Sequence, residues 1–285
     1  MTAPVAEGVQ HGESTFEAGD GVKLFERSWT GGPPKAAVIL VHGLKDHSAR
    51  YEELAGDLAR RRFAVYAADL RGHAKSGGPR VYVDAFDEYL ADLDLVLQRT
   101  RDRVPGKPIF LLGHSMGGAI VALFAITRKP DVRGIILSGA GIRVPATISP
   151  RTVRLTKRIG RILPRLRVLK TKNSDFSRDP AVVGDMDTDP LIDNRKAPAR
   201  TASEFVRAME RIQAGAGELT TSLLVLHGTG DRLTNPDGSR ELVSKAASKD
   251  KTLKLYEGFY HDLVHEPGKE RVLRDIVEWL ESRAA

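Results

Sequence analysis

The chain has 285 residues, a formal net charge of +7 and no cysteine. That length allows one large α/β domain carrying an insertion, or two smaller domains. The missing cysteines exclude disulfides, thiolate metal sites and a cysteine nucleophile.

The first eleven residues read as a loose tail with no basic start and no apolar stretch, so no signal peptide is expected. No apolar run approaches the length of a membrane span, and the cytoplasm is the expected location. Residues 14–17 and 22–29 read as strands joined by the turn Ala18-Gly19-Asp20-Gly21. Residues 36–41 form a continuous apolar run, the pattern of a strand buried on both faces in a parallel sheet. A loop, His42-Gly43-Leu44-Lys45-Asp46-His47-Ser48, leads into a helix with Tyr51, Leu54, Ala55 and Leu58 at helical spacing. Residues 63–67 form a short strand. After the loop at 69–78, Asp84 is placed to cap a helix bearing Phe86, Leu90, Leu93 and Leu97 on one face.

Residues 109–112 read as a buried strand, followed by Gly113-His114-Ser115-Met116-Gly117 and, after Gly118 and Ala119, an apolar helix from Ile120 to Ala125. This is the G-x-S-x-G pattern of a nucleophile elbow. A sharp strand-to-helix turn strains the serine backbone, and glycines two residues either side remove the side chains that would collide. The hydroxyl then stands at a helix N-terminus, where free N–H groups favour developing negative charge. The bland alternative, a small-residue helix start with an incidental serine, does not account for the flanking strand.

After a strand at 134–137 the alternation of strand and helix stops. Residues 142–200 show no strong strand and carry six prolines. Between Gly141 and Ser174 lie ten lysines and arginines and no acidic residue, so the rest of the chain is slightly acidic. No aromatic side chain is interleaved with these charges, which argues against a nucleic-acid surface. Leu155, Ile159, Ile162, Leu163 and Leu166 share one helical face, and Pro164 ends or kinks that helix. One reading packs the apolar face on the core and solvates the charges. The other is an interfacial helix that docks on anionic lipid and admits substrate. Thr201-Ala202-Ser203-Glu204 reads as a capping box opening the next helix. A strand at 223–226, a helix around Leu242, a strand at 252–256 and a final helix around Ile276 complete the chain. Alternating βα units with one non-conforming insertion imply a mostly parallel sheet covered on both faces, plus a cap. The expected division is core at 1–141, helical cap at 142–200 and core again at 201–285.

A serine hydroxyl needs a base within hydrogen-bond reach. Ligands of such sheets gather at the carboxyl ends of the strands. His261, just past the last strand, is the candidate base, with His265 its nearest rival. His42 and His227 read as structural, and His114 as diverging from its neighbour Ser115. Asp231 follows a strand through a glycine-rich turn and is the candidate carboxylate, ahead of Asp69 and Asp237. The backbone N–H groups of Met116 and Leu44 are the candidate oxyanion-hole donors.

The chain resembles the monoacylglycerol lipase family of α/β-hydrolases. The resemblance rests on residues 42–51, on residues 110–119, on His227-Gly228-Thr229-Gly230-Asp231-Arg232-Leu233 and on residues 251–258 running to His261. It implies an α/β-hydrolase fold and hydrolysis of a monoacylglycerol to fatty acid and glycerol with no cofactor. It implies Ser115, Asp231 and His261 as triad and Leu44 and Met116 as oxyanion donors. It further implies that Asp46 and Arg50 shape or bind the polar glycerol end of a small lipid ester. The alternatives are a lysophospholipase or general carboxylesterase with the same triad, an aminopeptidase of the S33 type, and a hydrolase-derived receptor that does not turn over. Ala74 stands where relatives carry a glycine in a D-x-R-G-x-G-x-S loop, and the cap matches least.

Overall fold

The computed structural model describes residues 8–145 and 148–284. In chain order the elements are β1 (Gln10–Glu17), β2 (Lys23–Thr30), β3 (Ala36–Val41), α1 (Glu52–Arg60), β4 (Phe63–Ala68), α2 (Asp87–Arg103), β5 (Ile109–His114), α3 (Met116–Arg128) and β6 (Gly134–Ser138). Then come α4 (Pro150–Ile162), β7 (Arg167–Leu169), α5 (Pro180–Thr188), β8 (Ala197–Pro198), α6 (Ala199–Gly215), β9 (Leu223–Gly228), α7 (Pro236–Lys245), β10 (Lys251–Tyr256) and α8 (Glu270–Glu281).

Eight strands form one sheet in the order β1-β2-β4-β3-β5-β6-β9-β10. β1 and β2 pair antiparallel, as do β2 and β4; the other neighbours are parallel. Successive side chains of a strand face opposite ways. Ile39, Leu111 and Ile135 therefore pack toward α2 and α3, while Val38, Leu40, Phe110 and Leu112 pack toward α1 and α8. With both faces covered, the central strands carry continuous apolar runs, and all six residues of β3 and of β5 are buried.

The cap elements lie between β6 and β9. α4 packs along α6, where Gly160 is buried against Ala199 and Ser203. α6 also packs on α3 of the core. The division expected at residue 200 thus falls inside a helix that serves both parts.

Four local expectations are corrected. Gln10 and His11, expected in a loose tail, pair with Thr30 and Trp29 as the first residues of β1. Asp84 does not cap α2; instead Glu88 reaches back to the backbone N–H groups of Asp84 and Ala85, at 2.9 and 2.8 Å. The 201–204 capping box does not form, because α6 begins directly after Pro198 and Thr201 is already helical. The Thr201 hydroxyl donates instead to the buried carbonyl of Val81, at 2.8 Å. Within 142–200 a small antiparallel pair, β7–β8, is present where no strand was expected.

Candidate active site

The elbow is built as its spacing requires. Ser115 sits between β5 and α3 with φ +55° and ψ −118°. A side-chain-bearing residue in such a conformation costs about 1–3 kcal/mol and persists only where its surroundings over-determine it. Here Ser115 N–H donates to Ser138 O at 3.0 Å, and Ser115 O accepts from Gly141 N–H at 3.0 Å. A Cβ on Gly113 would lie 2.4 Å from Gly117 O, and one on Gly117 would lie 2.1 Å from Val41 O. Both obstacles are backbone, so no rotamer change relieves them.

β9 and β10 deliver the other two residues. His261 Nδ1 lies 2.7 Å from Asp231 Oδ2, and both side chains are buried. Asp231 Oδ1 accepts the backbone N–H groups of Leu233 and Thr234, at 2.8 and 2.9 Å. Its Oδ2 also accepts the Thr234 hydroxyl at 2.7 Å and lies 3.2 Å from His227 Nε2. Burial alone would raise the Asp231 carboxyl, but the His261 and His227 rings beside it hold it well below the usual carboxylate range. Burial likewise opposes charge on His261, yet the Asp231 carboxylate outweighs it and raises that imidazole above its ordinary 6.5. With Nδ1–H held by Asp231, Nε2 is the nitrogen free to accept a proton. Ser115 and His261 line the same cavity.

The rivals are engaged elsewhere. His265 is held by Asp262 at 2.9 Å and by the Arg50 carbonyl at 2.7 Å. His42 accepts from Leu70 N–H at 2.8 Å, and His227 meets the Ser239 hydroxyl at 2.7 Å. His114 contacts Ser138 O at 3.1 Å, and burial lowers its ring to about 4. Asp69 braces Ser48 and the Lys75 backbone, while Asp237 lies 3.5 Å from Arg240 in the first turn of α7. Thr234 went unread in the sequence. Its signal is the Asp231-x-x-Thr234 spacing, in which an aspartate takes the backbone N–H and hydroxyl three residues on.

Met116 is the first residue of α3, so its N–H has no partner within the helix. Leu44 follows β3 and lines the cavity, and the adjacent Gly43 packs so closely that a Cβ there would lie 3.0 Å from Ser115 Cβ. The cavity measures about 410 Å³ and runs under the cap between α4 and α6, with Ile159, Phe176, Phe205 and Met209 in its wall. Among the described residues its lining holds no Asp, Glu, Lys or Arg. A larger groove of about 990 Å³, lined by Lys107, Asp131 and Arg283 among others, opens at the opposite end of the parallel strands. It lies away from the carboxyl ends where ligands of such sheets bind.

Asp46 and Arg50 do not line the cavity. Asp46 accepts from His47 N–H, from Arg50 at 3.0 Å and from the Tyr51 hydroxyl at 2.7 Å. Arg50 reaches Asp262 at 2.6 Å with its other terminal nitrogen. Their polar atoms bond one another and neighbouring loops. In a sequence a ligand-binding Asp-x₃-Arg pair and a buried ion pair look the same.

Sheet order, elbow and the carboxylate-backed histidine define an α/β-hydrolase. The family model described as "Serine aminopeptidase, S33" matches residues 32–268. The chain belongs to the monoacylglycerol lipase family. It is 35% identical over 271 residues to the monoacylglycerol lipase of Mycolicibacterium smegmatis, covering 95% of this chain and 97% of that one. It is 36% identical over 270 residues to the human monoglyceride lipase, covering 93% and 89%. Its structure superposes on the crystal structure of the Paleococcus ferrophilus monoacylglycerol lipase with a TM-score of 0.82 at 32% identity, covering 96% of this chain and 99% of that one.

Proposed function

We propose that the protein hydrolyses monoacylglycerols to fatty acid and glycerol, with Ser115 as nucleophile, His261 as base and Asp231 as its orienting carboxylate. The observation that carries this is His261, held by Asp231, sharing an uncharged, largely apolar cavity with a serine on a strained elbow. Ser115 Oγ attacks the ester carbonyl while His261 Nε2 takes its proton. The N–H groups of Met116 and Leu44 meet the developing oxyanion. His261 then returns the proton to the leaving glycerol oxygen, and water resolves the acyl-enzyme by the same route in reverse roles. Burial of the acyl chain contributes about 0.8 kcal/mol per CH₂. No cofactor enters the scheme.

The uncharged lining favours a neutral head group. An aminopeptidase needs a carboxylate for the substrate ammonium, and a lysophospholipase has a phosphate to accommodate. A turnover panel of monoacylglycerols of varied chain length, lysophospholipids, p-nitrophenyl esters and peptide amides tests this. Monoacylglycerols are expected to give the highest kcat/KM and amides negligible turnover. Fast lysophospholipid turnover with negligible glycerol-ester turnover would replace the reading with the lysophospholipase one, and no turnover of any ester would leave the receptor alternative.

The reading places the enzyme in the cytoplasm, at an anionic membrane surface. No helix among the described residues is long and apolar enough to cross a membrane. Among the described residues, the large apolar side chains that stand exposed all lie between 148 and 166, including Leu155 at 56% and Ile162 at 74%. Gly160 is the only buried residue of α4, and Ile159 of the same apolar face lines the cavity. Exposed Arg151, Arg154, Arg158, Arg161 and Arg165 flank the apolar patch. Such a surface suits the lipid interface, with about 1 kcal/mol per basic residue near anionic headgroups. Co-sedimentation with phosphatidylcholine vesicles is expected to rise as phosphatidylglycerol is added and to fall with salt. Binding independent of both would discard the docking surface.

A further inference from the structure

We propose that Arg50 is a positioning residue that clamps the oxyanion loop to the base loop. This rests on the triad and oxyanion roles proposed above. Asp46 lies two residues after Leu44, and Asp262 is the residue after His261. One guanidinium joins them: Nη1 to Asp46 Oδ1 at 3.0 Å and Nη2 to Asp262 Oδ2 at 2.6 Å. The Asp46 and Asp262 side chains are 1% and 0% exposed, and that of Arg50 only 10%.

The sheet itself does not hold these loops together. β3 stands fourth and β10 eighth in the sheet, so the two loops leave strands about 19 Å apart at the usual inter-strand spacing. They must converge over Ser115, and backbone pairing within the sheet sets no distance between them there. A rigid planar fork with two carboxylate partners does so directly. The remaining polar atoms reinforce the tie. Tyr51 hydroxyl holds Asp46 Oδ2 at 2.7 Å, and His265 bridges Asp262 Oδ1 at 2.9 Å and the Arg50 carbonyl at 2.7 Å. Buried ion pairs are poor stabilisers for their desolvation cost, and their better-attested use is to set a unique arrangement. Here the arrangement joins the predicted oxyanion donor to the predicted base. Arg50 touches neither Ser115 nor the cavity, so its effect passes through the loops.

The test is kcat per active serine, counted by burst titration with a p-nitrophenyl ester on the pH plateau of each variant. Counting titrated serines removes any change in folded fraction. Arg50→Lys keeps the charge but loses the fork, and is expected to lower kcat per titrated serine about 10- to 100-fold, the scale of an ångström misplacement, with KM within about twofold. Asp262→Asn is expected to act in the same direction, and to decide the matter alone if Arg50→Lys does not fold. The double variant should be no slower than the slower single, because both break one clamp. Wild-type kcat per titrated serine in either variant, a loss confined to KM, or singles that multiply in the double would each overturn the clamp. A wild-type protein that hydrolyses no ester would instead count against the proposed function.

Discussion

Ser115→Ala is expected to abolish ester turnover while leaving the fold and the acyl cavity intact. Loss of the nucleophile in a serine–histidine–aspartate system costs about 10⁶-fold in kcat, with residual rate from the oxyanion hole and binding. The substitution removes one oxygen and keeps the Cβ that packs near Gly43. The backbone bonds of Ser115 to Ser138 and Gly141 do not involve the side chain. The melting temperature should therefore stay close to wild type, and a non-hydrolysable fatty-acyl ligand should bind with unchanged Kd. Those two measurements separate lost chemistry from lost structure. Retention of most esterase activity in Ser115→Ala would sink the mechanism.

Asp231→Asn is expected to lower kcat about 10⁴-fold through the wrong histidine tautomer. The direction follows from which oxygen is already engaged. Asp231 Oδ1 accepts two backbone N–H groups, from Leu233 and Thr234. An asparagine must keep its carbonyl oxygen there, since an amide NH₂ would face two donors. Its NH₂ is then directed at His261 Nδ1, now 2.7 Å from Oδ2. That nitrogen becomes an acceptor, the ring proton moves to Nε2, and Nε2 can no longer take the proton of Ser115. The pH profile carries a second signature. The base works only when neutral, and the Asp231 carboxylate raises His261 above 6.5 despite its burial. In the wild type the acid limb of kcat/KM should accordingly lie above pH 6.5, with rate falling as pH drops through it. Removing the carboxylate charge should shift that limb to lower pH, even as the plateau collapses. Asp262, Asp46 and the His114 ring also surround His261 and remain, so the shift isolates Asp231. An unmoved limb or a near-normal plateau would remove Asp231 from its assigned role.

The ends of the parallel strands were the most legible part of the sequence. The central ones are buried apolar runs closed by a glycine or a polar residue, and a sheet with helices on both faces leaves its loops at the carboxyl ends as the place for polar chemistry. That placed Ser115, Asp231 and His261 as neighbours though 146 residues separate the first from the last. Helix starts were less legible. The capping box at Thr201 lost to a start dictated by Pro198, and Asp84 lost to Glu88 reaching back along its own helix. In both places a local signal had two acceptable partners, and packing selected between them.

The amino-acid sequence by itself determined the fold class, the elbow and the family, because strand burial, glycine spacing and the residues around Ser115 are local properties that survive without coordinates. Only the tertiary structure decided what the charges do. Asp46 and Arg50, expected to shape or bind the polar head group, form a buried ion pair whose further partner, Asp262, lies 212 residues from Arg50. The basic segment above the site could have turned its leucines inward or outward. In the structure Leu155 and Ile162 are largely exposed while Ile159 of the same face lines the cavity, and Gly160 lets α4 lie close on α6. Charge and hydrophobicity are written residue by residue, but whether a charge is paired or an apolar side chain is covered depends on what the rest of the chain brings to it.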